Sequence, residues 1–185
     1  MITGEKGFLA QELLQHMKIP KDTIILMGSP TFDVVNITTE QSLKLHDYVK
    51  ETMDIVDRNL DKYIIFASSD GVDDIKFDHT GSTSYSVAKL FLENYIINRC
   101  KNHLILRIGT ILSDDIEKVR RMKPTRIQNQ ILNKRMRWMP ALKEDYLMLD
   151  DFINETIEVI RQGKIGIHEY KLTEIKVTAL LDIAK

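Results

Sequence analysis

Cysteine is nearly missing from this chain of 185 residues: Cys100 stands alone. No intramolecular disulfide can form, and no cysteine cluster can hold a metal. The thiol has no ligand-spaced companion, so it reads as a small buried side chain in a reducing, cytoplasmic setting. Long apolar runs are missing too. Nothing approaches the roughly 20 residues of a membrane-spanning helix, and the N-terminus has no basic region followed by an apolar core. An excess of either charge is also lacking. The 26 basic and 27 acidic residues leave a net charge of −1, so no global field recruits nucleic acid or a membrane surface. There is no internal repeat and no low-complexity segment. What is present, 43% hydrophobic and 29% charged residues, is the composition of an ordinary globular protein, long enough for one well-buried domain with a small appendage.

The chain is organised around the stretch from Tyr63 to Thr110. An apolar run, Tyr63-Ile64-Ile65-Phe66-Ala67, ends in Ser68-Ser69 and reads as a buried strand. After a polar loop, a helical pattern begins with Tyr85 and Lys89 four residues apart, which puts phenol and ammonium on one helix face. A free phenol titrates near ~10, so it exchanges protons at neutral pH only if a fixed positive charge stabilises its phenolate. Lys89 can supply that charge. Ser69, or Ser68, can hold a carbonyl or alcohol oxygen within reach of Tyr85. His103 to Arg107 then forms the next strand.

A Tyr-x-x-x-Lys pair is weak evidence in a chain with so many lysines, but its context is specific. Strand, Ser-Ser, loop, Tyr-x-x-x-Lys helix and a strand ending in Arg107 resemble the extended short-chain dehydrogenase/reductase family, the NAD-dependent epimerases and dehydratases. The N-terminus adds to the likeness. Thr3-Gly4-Glu5-Lys6-Gly7-Phe8-Leu9-Ala10 resembles the family's glycine-rich turn between the first strand and first helix, with Ala10 in place of its last glycine. In that turn glycines admit the backbone close to a pyrophosphate, and the helix N-terminus favours its charge.

The resemblance implies an α/β fold: a reduced Rossmann-like parallel sheet flanked by helices, with a small C-terminal substrate lobe. The core would run over residues 1–112 and the lobe over 113–185. It implies an NAD- or NADP-dependent reductase, epimerase or dehydratase acting on a small molecule, a sugar nucleotide. Tyr85 would be the acid/base, Lys89 would lower its pKa and hold the nicotinamide ribose, Ser69 would position the substrate oxygen, and Gly4, Gly7 and Phe8 would border the cofactor. The family commonly dimerises through two helices, so a homodimer is expected through the helices around 42–58 and 85–99.

The chain also departs from the family. Thr23 to Met27 reads as the family's second strand, yet no acidic or basic residue follows it to take the adenosine ribose or a 2′-phosphate. Asp33 to Ile37 reads as the family's fourth strand, leaving no room after Pro30 for the intervening elements. That loss falls on the adenosine side, and it favours the alternative reading of a non-catalytic binding or regulatory protein on the same scaffold.

The remaining features have plainer readings. Asp70, Asp73, Asp74 and Asp78 lack the alternating ligands of a calcium loop, and His16, His46, His79 and His168 have no metal or triad spacing, so all are expected at the surface and no metal is expected. Ser82, Thr83 or Ser84 is expected to cap the Tyr85 helix and Asp150 or Asp151 the helix that follows it later in the chain. Glu93 reads as a surface or interface charge. The basic stretch from Ser113 to Trp138 reads as a solvated surface, with a diphosphate-binding lobe or, less favoured, a nucleic-acid patch as the alternatives. A further strand is expected within Lys164 to Leu172, and a last helix from Val177 to Ala184.

Overall fold

The computed structural model describes residues 1–28, 39–72, 84–121 and 143–176. The chain divides into two compact units, residues 1–108 with 159–169, and residues 109–158 with the C-terminal remainder. The first unit thus includes a later segment, residues 159–169, besides the run from Met1 to Ile108.

In the first unit β1 (Ile2–Thr3), β2 (Thr23–Leu26), β3 (Tyr63–Ser69), β4 (His103–Ile108) and β7 (Gly166–Glu169) form one parallel sheet. Helices α1 (Phe8–His16), α2 (Thr39–Asp57) and α3 (Ser84–Arg99) connect the first four strands. A parallel sheet must be covered on both faces, and the alternation of side chains does this. Ile24, Leu26, Ile64, Phe66 and Ile105 pack with Val56 of α2 and with Leu92 and Ile96 of α3. Ile25, Ile65, Leu104 and Leu106 alternate with them on the other face and are fully buried. Cys100, directly after α3, is buried in the first of these clusters, as its isolation in the sequence suggested.

The sheet differs from the expectation in one respect. β2 pairs with β1 on one side and directly with β3 on the other, Ile25 opposite both Ile2 and Ile65. It therefore occupies the place beside the first strand that the resemblance gave to Asp33–Ile37, and it is not the family's second strand. Asp33–Ile37 itself lies outside the described residues, as do Asp73, Asp74, Asp78, His79, Ser82, Thr83, the basic stretch beyond Arg121 and the helix expected from Val177 to Ala184.

In the second unit β5 (Ile111–Leu112), β6 (Lys143–Met148) and β8 (Thr173–Lys176) form a small mixed sheet, with α4 (Ile116–Arg121) after β5. Helix α5 (Leu149–Arg161) follows β6 and buries Phe152, Ile153, Thr156 and Ile157 at helical spacing. The strand expected within 164–172 is β7, Gly166–Glu169, and β8 follows beyond that range. Asp150 and Asp151 lie in the first turn of α5 rather than capping it, where they favour the positive end of the helix dipole. No helix of the described residues is long and apolar enough to cross a membrane. Among them, no group of three acidic, histidine or cysteine side chains could hold a metal.

Candidate functional site

The site is built in the first unit, at the carboxyl ends of β1, β2 and β3 and on the inner face of α3. β3 delivers two hydroxyls to the sheet end, and alternation gives them different surroundings. Ser68 is buried, and its Oγ has no hydrogen-bond partner among the described residues. Ser69 is half-buried: its Oγ donates to Asp70 Oδ1 at 3.2 Å and accepts the Gly71 N–H at 3.2 Å. Of the two, Ser69 is the one whose hydroxyl can meet a ligand. A Cβ on Gly71 would stand 3.2 Å from Ser86 Oγ and 3.5 Å from Ser69 Oγ, so the turn after β3 abuts the first turn of α3, where Tyr85 lies.

Tyr85 is half-buried and Lys89, one turn on, is 1% exposed. The Lys89 ammonium stands 5.5 Å from the Tyr85 ring centroid and 4.7 Å from that of Phe66. It donates to the Ala67 carbonyl at 2.7 Å and to the Tyr48 hydroxyl of α2 at 2.8 Å. Two of its three N–H donors are thus spent inside the fold. Burial pushes the amine down to about 7, and the negative charge of Glu93 works against that fall. Burial also raises the Tyr48 phenol well above its ordinary value, with Tyr85 adding to the rise and Thr52 opposing it.

The next turn of α3 overturns the surface reading of Glu93. Its side chain is 1% exposed and holds Arg107 of β4 through two hydrogen bonds, Nη2 to Oε2 at 2.8 Å and Nε to Oε1 at 3.2 Å. Arg107 also donates from Nη1 to the exposed Glu169 of β7 at 3.0 Å. Tyr85, Lys89 and Glu93 therefore lie on one helix face, with Arg107 behind them. His168 is not at the surface either; it is buried in β7, its Nδ1 2.7 Å from Lys164 Nζ. His16 and His46 are exposed as expected.

At the N-terminal turn Gly4 adopts φ +65°, and a Cβ there would lie 2.7 Å from Gly28 Cα. The turns after β1 and β2 touch backbone to backbone, which only glycine permits. Gly7 caps α1 in extended conformation with no side-chain cap bond, and its N–H closes the turn on Gly4 O at 2.7 Å. Phe8 opens α1 and is half-buried. The structure thus gathers Ser69, Tyr85 and Lys89 at the β3–α3 junction, and sets Gly4, Gly7 and Phe8 at the end of β1. Tyr48, Gly28 and Gly71 were not marked in the sequence. A tyrosine four residues before a buried threonine, Thr52, on the apolar face of α2 was the available signal for Tyr48.

The sequence matches no family model and no curated protein. Solved structures do match. A dTDP-4-dehydrorhamnose reductase from Bacillus anthracis, in complex with NADP, superposes with a TM-score of 0.71 at 11% identity, over 99% of this chain and 79% of that one. The Bordetella bronchiseptica enzyme WbmH, in complex with NAD+, gives 0.70 at 11% identity over 98% and 78%. UDP-N-acetylglucosamine 4-epimerase from Bacillus cereus gives 0.70 at 14% identity over 99% and 79%. The chain shares the fold of these proteins, a Rossmann-like parallel sheet flanked by helices. At these identities the likeness is one of fold, and the chemistry has to be argued from the side chains.

Proposed function

We propose that this protein is an NAD(P)-dependent reductase, epimerase or dehydratase of a nucleotide-linked sugar, with Tyr85 as its acid/base. The observation that carries the reading is the Lys89 ammonium, buried and held 5.5 Å from the Tyr85 ring. A cation fixed there stabilises the phenolate over the phenol, which brings Tyr85 toward the range where it can give a proton to a carbonyl oxygen or take one from an alcohol. Ser69 turns its hydroxyl from Asp70 to the substrate oxygen and holds it for that transfer. Lys89 has one N–H uncommitted among the described residues, enough for one ribose hydroxyl. The glycine turn and the uncapped start of α1 suit a phosphate, so the residues fit the nicotinamide half of the cofactor. When bound, the nicotinamide supplies the hydride chemistry. The solved structures that share the fold and hold NADP or NAD+ support the cofactor class.

The second unit takes the substrate in this reading, and a second copy of the chain packs on α2 and α3. Val87 and Phe91 stand exposed there and line, with Leu45, Val49 and Ala88, a groove of about 330 Å³, a surface that a homodimer would cover.

A non-catalytic binding or regulatory role is the second reading. The order β1-β2-β3-β4-β7, in which the described residues show no reversal of the kind an ordinary dinucleotide fold has, favours it. Calorimetric titration with NAD(H) and NADP(H) at low and moderate salt, followed by turnover assays with sugar nucleotides, separates the two. Salt-tolerant binding with turnover supports the enzyme; a folded protein that binds no nicotinamide ligand supports the second reading.

A further inference from the structure

Ser69 belongs to β3 and Tyr85 to α3, so their spacing is set where the two elements touch. Gly71 is the residue at that contact. Its backbone makes no demand for glycine, since it does not share the positive φ of Gly4. The demand is for space. A Cβ on Gly71 would stand 3.2 Å from Ser86 Oγ, tighter than ordinary van der Waals contact, and 3.5 Å from Ser69 Oγ.

Both sides of the contact are anchored. On the β3 side the Asp70 N–H donates to the Ile108 carbonyl of β4 at 3.2 Å, the Gly71 N–H donates to Ser69 Oγ at 3.2 Å, and Val72 is fully buried. On the α3 side Ser86, Ala88 and Lys89 are all buried. A methyl group on Gly71 is therefore accommodated by parting the β3 turn from the first turn of α3 by a few tenths of an ångström, or by turning the Ser69 hydroxyl aside. Either response moves Ser69 relative to Tyr85.

Resting on the reading of Ser69 and Tyr85 above, we propose that Gly71 is a positioning residue of the proton-transfer site. Its missing side chain lets the β3 turn seat on Ser86, and that seating holds the Ser69 hydroxyl in register with the Tyr85 phenol. Transfer between prepositioned groups is sensitive to such shifts, a misplacement of ~1 Å costing about a hundredfold in rate. The acid/base pair itself is left alone: Tyr85 and Lys89 share α3, and the Lys89 bonds run to Ala67 and Tyr48, both before the turn.

The test compares the full-length wild type with Gly71→Ala and with Gly71→Ala/Ser86→Ala, in which the oxygen that the methyl meets is gone. Turnover is measured on a panel of UDP- and dTDP-linked hexoses and 4-dehydrohexoses, nicotinamide affinity by calorimetry, and the Tyr85 titration by NMR of carbon-13-labelled tyrosine. Gly71→Ala is expected to lose at least tenfold in kcat with nicotinamide affinity and the Tyr85 titration unmoved, and the double variant to regain most of the loss. An undiminished kcat, a loss that Ser86→Ala does not relieve, or a loss accompanied by a shifted Tyr85 titration overturns this inference and leaves the reading of Tyr85 standing. If Gly71→Ala does not fold, Ser86→Thr brings a methyl to the same contact from the α3 side and is held to the same loss of kcat with the same unmoved titration. A folded wild type that turns over no member of the panel overturns the reading and this inference together.

Discussion

The Tyr48 hydroxyl of α2 accepts a hydrogen bond from Lys89 Nζ of α3 at 2.8 Å, across 41 positions of sequence. This contact stabilises the charged form of an amine that burial otherwise disfavours. Tyr48→Phe removes the acceptor and leaves the ring packing in place. The Lys89 titration, followed by NMR of carbon-13-labelled lysine, is expected to move below its native position near 7. An unchanged titration in a folded variant would leave Tyr48 a packing role only.

The pH dependence of stability has a definite sign. Lys89 holds its proton to about 10.5 when exposed but only to about 7 in the fold. Between those values the unfolded chain binds more protons, so the Lys89 contribution to stability rises with pH, at most ~1.4 kcal/mol per unit. Urea unfolding at pH 7 and pH 9 should show the wild type gaining on Lys89→Met across that interval. Parallel behaviour of the two proteins would mean that the buried amine keeps its charge to pH 9.

Glu93 and Arg107 are each almost wholly buried and satisfy one another. Glu93→Gln removes the buried carboxylate that neutralises the Arg107 guanidinium, and breaking a buried ion pair in this way costs ~3–5 kcal/mol. It also removes the negative charge that supports Lys89, so the amine titrates lower. Replacing both partners by methionine should recover much of the lost stability without restoring the Lys89 titration. Chemical denaturation of the single and double variants, with the same lysine NMR, measures both effects.

The parts legible in the sequence were those carried by local periodicity. Tyr85 and Lys89 sit one turn apart on a helix because the intervening pattern is helical, and β3 is buried because Ile64 to Ala67 is unbroken. The parts that were not legible depend on pairing over long separations. Four residues, Thr23 to Leu26, fit either side of β1 equally well, and only the ladders to both Ile2 and Ile65 reveal which place they take. Glu93 read as a surface charge because its partner, Arg107, arrives from the next strand. Lys89 offers no local sign that Tyr48 and Ala67 hold two of its donors.

The glycine turn separates a structural demand from a ligand-binding one. Gly4 has φ +65°, and its missing Cβ would overlap the Gly28 backbone. Gly7 has φ −73°, which any residue adopts, and its Cβ would press only on Gly4 O at 3.0 Å. Gly4→Ala adds ~1–2 kcal/mol of left-handed strain to that overlap, so its thermal midpoint should fall by several degrees or the protein should fail to fold. Gly7→Ala should stay within about 1 kcal/mol of the wild type, since a small shift relieves its contact. Because its methyl would project at the start of α1, where a phosphate would lie, NAD(P)H should bind at least tenfold more weakly to Gly7→Ala. A Gly7→Ala protein that is equally stable and binds equally well would confine the turn to a packing role, and the phosphate would then have to sit elsewhere along the ends of β2 and β3.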